Sequence, residues 1–193
     1  VVAPDNLASL SPHSMVAFSA RPIVHGLARD GTVWRVSLDN RDPVRQLPFS
    51  QVRQIDCVYW LGDYCAAVLQ SGEVVAWAVS GANHLTPNTS LKPDELLILP
   101  GIANAKSVAT GRDVIYVLST TGRLQSWKID YSFRTDSQGT TTKVLKEPEV
   151  LLASGGTDLA CGGAGCFVRR STGALARIIS SGSLSPTSLP TLP

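Results

Sequence analysis

Short apolar runs rich in Val, Ile, Leu and Trp alternate along the chain with clusters of Gly, Ser, Asn, Asp and Pro, and helical periodicity is nearly absent. This is the pattern of many short strands. Four times an apolar run enters a small turn containing glycine and leaves into a second apolar run. The entries are Val24-His25-Gly26-Leu27 before Asp30-Gly31, Cys65-Ala66-Ala67-Val68-Leu69 before Ser71-Gly72, Ile115-Tyr116-Val117-Leu118 before Thr121-Gly122, and Cys166-Phe167-Val168 before Thr172-Gly173. The exits are Thr32-Val33-Trp34, Val74-Val75-Ala76-Trp77, Leu124-Gln125-Ser126-Trp127 and Leu175-Ala176-Arg177-Ile178.

The turn glycines Gly31, Gly72, Gly122 and Gly173 lie 41, 50 and 51 residues apart. A period in that range predicts an all-β, propeller-like array of about four blades. Glycine supplies the positive φ of a tight hairpin, so each marks a hairpin corner. Residues 14–180 are read as the repeats (14–50, 51–101, 102–152 and 153–180), with 1–13 as an extension and 181–193 as a Pro/Ser/Thr-rich tail. Residues 93–99 fit a short helix or a strand about equally. Polar connections at 39–46, 80–92 and 130–142 read as loops, which carry most binding contacts in such folds. A blade cannot bury both faces alone, so the array is expected to be part of a larger propeller or to be completed by a partner.

The 193 residues are 44% apolar and 17% charged, with a formal net charge of +2. That balance suits a folded domain and not a nucleic-acid binder, which concentrates Lys and Arg. The densest basic pair, Arg169-Arg170, reads as a solvated strand end. No apolar run approaches the roughly 18 residues of a membrane span. The first residues, Val1-Val2-Ala3-Pro4-Asp5, show neither a start Met nor the shape of a signal peptide.

The repeats resemble the blades of the regulator of chromosome condensation family, usually seven-bladed propellers. Ser107-Val108-Ala109-Thr110-Gly111, Leu118 and Thr121-Gly122-Arg123-Leu124-Gln125-Ser126-Trp127 follow the family's order of strand, small turn, strand and hairpin. So do Leu159-Ala160-Cys161-Gly162-Gly163 with Thr172-Gly173-Ala174-Leu175, and Ile55-Asp56-Cys57, Gly62, Ser71-Gly72 and Trp77. The fourth repeat has Ile178 where a Trp would stand. The resemblance implies guanine-nucleotide exchange on a small GTPase, or chromatin binding.

The four cysteines fall in matched pairs. Cys65 and Cys166 each stand seven residues before their turn glycine, with Cys57 and Cys161 on the preceding strands. Facing residues on neighbouring strands are close enough to bridge, so Cys57–Cys65 and Cys161–Cys166 are the expected disulfides; buried free thiols are the alternative. An even count in pairs favours an oxidising compartment. Cysteine spacings and only three His (His13, His25, His84) give no metal-binding set, and no cofactor is expected. Asn88-Thr89-Ser90 is a glycosylation sequon in a loop.

Catalytic signals are absent. His25 lies on a core strand and reads as a satisfied core residue. Gly155-Gly156 and Gly162-Gly163-Ala164-Gly165 lack the Lys-Ser/Thr of a phosphate loop and read as points of close blade approach. The four Trp read as packing residues, with Trp60, beside Asp63, the best candidate for a partner contact. The leading expectation is a non-enzymatic interaction or structural module of a secreted or surface assembly, a glycoprotein docking protein partners, or further repeats, through its loops. The alternatives are a cytoplasmic or nuclear regulatory propeller acting on a GTPase or chromatin, and a secreted enzyme inhibitor.

Overall fold

The computed structural model describes residues 10–16, 23–37, 44–58, 64–78, 84–86, 96–111, 113–130, 142–145, 148–162, 165–179 and 184–187. These residues form β-strands and turns without a helix, arranged as successive antiparallel blades. Blade 1 holds β1 (Leu10–Val16), β2 (Ile23–Ala28), β3 (Val33–Ser37) and β4 (Arg45–Gln46). Blade 2 holds β5 (Val52–Val58), β6 (Tyr64–Leu69) and β7 (Val74–Ala78); β8 (His84–Thr86) departs from it, and β9 (Leu97–Ile98) is its outer strand. Blade 3 holds β10 (Ala105–Thr110), β11 (Val114–Ser119) and β12 (Leu124–Asp130), then β13 (Thr142–Leu145) and the outer β14 (Glu149–Leu152). Blade 4 holds β15 (Gly156–Gly162), β16 (Gly165–Arg170), β17 (Leu175–Ile178) and β18 (Leu184–Thr187). β13 pairs with the end of β12 and runs parallel to β8, so the long connections of blades 2 and 3 meet in a small ribbon.

Strand pairing places three further segments. β1 starts at Leu10, inside the expected extension, and β18 lies inside the expected tail. The open edge of β17 draws that segment in, pairing Ile178 with Leu184, Arg177 with Ser185 and Ala176 with Pro186. Proline suits such an outer strand, where a missing N–H breaks no ladder. Within 93–99, Leu97–Ile98 pairs with Val75 and Ala76 as a strand.

Strict alternation along the inner strands builds the core as seams between blades. Cys65 and Ala67 of β6 face blade 1, joining Leu27, Val33 and Leu47; Val75 and Trp77 of β7 do the same. Tyr64, Ala66 and Val68 face blade 3, against Val108, Ile115, Val117 and Trp127. Val114, Tyr116, Leu118 and Leu124 turn the other way and meet Cys166, Val168, Ala176 and Ile178 of blade 4. Strands β6, β7 and β11 of blades 2 and 3 are therefore buried on both faces, which is why they are near-continuous apolar runs and not alternating ones.

A backbone relay fastens these seams. The carbonyl of Gly31 accepts from Val52 N–H (3.0 Å), that of Gly72 from Ala105 N–H (2.9 Å), and that of Gly122 from Gly156 N–H (2.9 Å). Each of these three turns thus presents a carbonyl to the first strand of the next blade. Gly72 and Gly122 must be glycine twice over. Their φ values are 88° and 78°, and a Cβ would stand 2.5 Å from Ala103 O and 2.7 Å from Gly155 N respectively.

Candidate functional site

The first seam contains a buried polar cluster. The side chain of His25, on β2, lies within the apolar wall formed by blade 2, and it is fully buried. Register places Cys65 opposite both Cys57 and Trp77, so three of blade 2's side chains converge on it. Cys57 and Cys65 form a disulfide with Cα atoms 4.1 Å apart. Trp77 Nε1 lies 3.4 Å from His25 Nε2, and His25 Nδ1 lies 3.6 Å from Cys65 Sγ. Indole N–H is only a donor, so Nε2 accepts and the neutral ring carries its proton on Nδ1, turned to sulfur. Burial, and then the charges of Arg35 and Arg45, push His25 down to about 3, so it stays neutral at physiological pH. Phe49 completes the packing, its ring centroid 5.1 Å from that of Trp77.

The second seam is stapled by polar side chains on β5. Asp56 accepts from the N–H (2.5 Å) and the hydroxyl (2.9 Å) of Thr110, while Gln54 makes two 3.1 Å hydrogen bonds with the backbone of Val108. Arg53 donates to the Ala105 carbonyl. The Tyr64 hydroxyl lies 2.9 Å from Val114 O and accepts from Val114 N–H at 3.2 Å. Burial raises Asp56 above the usual carboxylate range, against the opposing pull of the Thr110 hydrogen bonds. These groups are bonded across the seam and serve as structure.

Blade 4 repeats the disulfide in the same register, Cys161 joined to Cys166. Here the residue across the seam is Tyr116, which stands as far ahead of Gly122 as His25 does ahead of Gly31. A Cβ on Gly111 would lie 3.4 Å from Tyr116 Cε2 and 3.6 Å from Cys166 Sγ, placing tyrosine and disulfide side by side. Burial pushes Tyr116 up to about 12.

The other face of blade 4 breaks the pattern. Gly173 has the same positive φ as the other turns (86°), yet a Cβ there would meet nothing within 4 Å. At positions where blade 2 buries Ala66, Val68, Val74 and Ala76, blade 4 carries Phe167, Arg169, Leu175 and Arg177. Phe167 and Leu175 are half-buried and both arginines are exposed, Arg169 at 3.8 Å from the Asp158 carboxylate. Among the described residues this face has no seam.

Trp60, Asp63 and the sequon residue Asn88 lie outside the described residues. Gly155 and Gly156 sit in the third seam, against the Gly122 turn, whereas a Cβ on Gly162 would meet open space. Sequence reading missed the joining of His25 to Cys57 and Cys65, because the histidine comes from a different repeat. The available signal was phase alone: His25 and Cys65 both point into one seam.

No family model matches the sequence, and no curated protein matches it. Solved structures do, and they define the class: an RCC1-like propeller fold, RCC1 being the regulator of chromosome condensation. Human WBSCR16 superposes with a TM-score of 0.59 at 20% identity, over 87% of this chain and 50% of its own. Prp20p of Saccharomyces cerevisiae gives 0.59 at 16% identity over 92% of this chain and 49% of its own. The same yeast RCC1 (Prp20) bound to Kap60 gives 0.56 at 15%, over 89% and 48%. This chain spans about half the length of the structures it matches.

Proposed function

We propose that this chain is the blade array of a non-enzymatic regulatory propeller that acts by binding proteins, with a small GTPase or chromatin component as the partner class. The observation that carries the reading is the free face of blade 4. Three turns deliver a carbonyl to a following blade, and the fourth, at Gly173, presents the same geometry beside Phe167 and Leu175, where among the described residues no blade lies against it. A sheet face of this kind, ready for a further blade or a partner, belongs to an assembly. The similar yeast propeller is described as bound to Kap60, and as having binding properties towards Gsp1p and histones. That record favours regulation over the secreted structural role, for which the neighbours offer no support. It likewise favours a cytoplasmic or nuclear setting, while the two disulfides fit an oxidising one.

The test is direct. The whole chain is added to a Gsp1p-type GTPase loaded with a fluorescent guanine nucleotide, and in parallel to core histones. Accelerated nucleotide release, or saturable histone binding, is the expected result. A chain that runs as a monomer and binds neither sinks the proposal.

A further inference from the structure

We propose that Cys57, Cys65 and His25, once the bridge between the two cysteines is reduced, form a three-coordinate site for a soft monovalent metal ion, Cu(I). The donor atoms already stand together: Cys57 Sγ, Cys65 Sγ and a ring nitrogen of His25 all lie within 4.8 Å of one another, and all three residues are buried. The 3.6 Å between Nδ1 and Cys65 Sγ is close to the ligand–ligand separation of a metal site with bonds of ~2.0–2.3 Å. Reduction asks only that the sulfurs part while the paired strands hold the backbone.

The donor set and its number select the ion. Two thiolates with one imidazole are the soft set that favours Cu(I). Among the described residues no fourth ligand joins the cluster to complete the tetrahedron that Zn²⁺ takes. The steps balance. A dithiol reductant becomes a disulfide, and the Cys57–Cys65 bond takes up two electrons and two protons. Cu(I) then displaces both thiol protons. His25 binds through Nδ1 as its ring proton moves to Nε2, giving up the long 3.4 Å contact from Trp77.

Blade 4 provides an internal control, the same disulfide register with Tyr116 in place of histidine. The experiment reduces the whole chain anaerobically with a phosphine, removes the reductant, and titrates Cu(I) against a colorimetric Cu(I) chelator. Circular dichroism follows the fold throughout. In the Cys161→Ser/Cys166→Ser variant we expect one equivalent of Cu(I) per chain, and none before reduction. His25→Ala removes a ligand and weakens binding by at least the ~10–100-fold that loss of an outer-shell partner costs. Tyr116→His, in a chain lacking Cys57 and Cys65, gains affinity at blade 4, a result that does not depend on the folding of His25→Ala. The proposal is overturned if the reduced chain unfolds, if it binds no Cu(I), if it prefers Zn²⁺, or if both histidine changes leave affinity unaltered.

Discussion

Blades 2 and 4 carry the same disulfide, in the same register, ahead of the same turn, and differ in what surrounds it. Blade 2 has neighbours on both faces, so Cys65, Ala66, Ala67, Val68 and Trp77 are all buried. Blade 4 has one neighbour among the described residues. Its inward Val168 is fully buried while Arg169, the next residue, is exposed. The difference teaches that the cross-strand bridge is a property of a single blade, whereas burial and the perturbed titration of His25 belong to the seam between two. A blade's own sequence specifies the first; a neighbour supplies the second.

The sharpest way to break the comparison is at the turns. Gly72→Ala forces a Cβ against the Ala103 carbonyl in addition to the left-handed backbone, so a loss of about 3–4 kcal/mol is expected. Gly173→Ala meets open space and bears only the backbone term, about 1 kcal/mol. Chemical denaturation of the two variants measures the gap, and equal losses would mean that the Gly173 turn is covered too.

Acid comes second. His25 is held down to about 3, so the unfolded chain takes up a proton below its ordinary value of 6.5 that the folded chain refuses. Stability is complete above pH 6.5 and falls by about 1.4 kcal/mol per pH unit towards pH 3, or about 2 kcal/mol by pH 5. Replacing His25 with Phe flattens this part of the profile. Tyr116, the counterpart beside blade 4, is pushed up to about 12 and contributes nothing in that window.

Removing the bridges separates the blades less. Each closes a short loop, with sequence separations of 8 and 5, so each is worth about 2–3 kcal/mol by chain entropy. Changing Cys57 and Cys65 to Ala opens space in a sealed seam, and the thermal melt of that variant should fall further than that of Cys161→Ala/Cys166→Ala. The smallest effect is expected from Asp158→Ala, because the exposed pair with Arg169 contributes less than about 0.5 kcal/mol. A larger loss there would show that the outer face of blade 4 is organised.

Much of the fold was legible in the sequence. Glycine in a tight turn is a local requirement, so Gly31, Gly72, Gly122 and Gly173 announced the hairpins, and the β-rich runs around them supplied the inner strands. The outer strands were not legible. Arg45–Gln46 and Leu97–Ile98 are two residues long, and Leu184–Thr187 sits in a stretch of low complexity, so each takes its form from the edge it pairs with. The cluster at His25 was illegible for another reason. Its partners lie 40 and 52 residues away on another blade, and no local spacing encodes that meeting.

The relay that binds Gly31 to Val52, Gly72 to Ala105 and Gly122 to Gly156 is made of main-chain atoms alone. A joint of that kind asks nothing of side-chain identity beyond a glycine at the corner. Amino acids around it can differ, provided that size and polarity suit the seam, while the architecture stays the same. This accounts for a chain whose shape matches solved propellers at 15–20% identity while no family model matches its letters. The fold is specified by backbone geometry that many different side chains can carry.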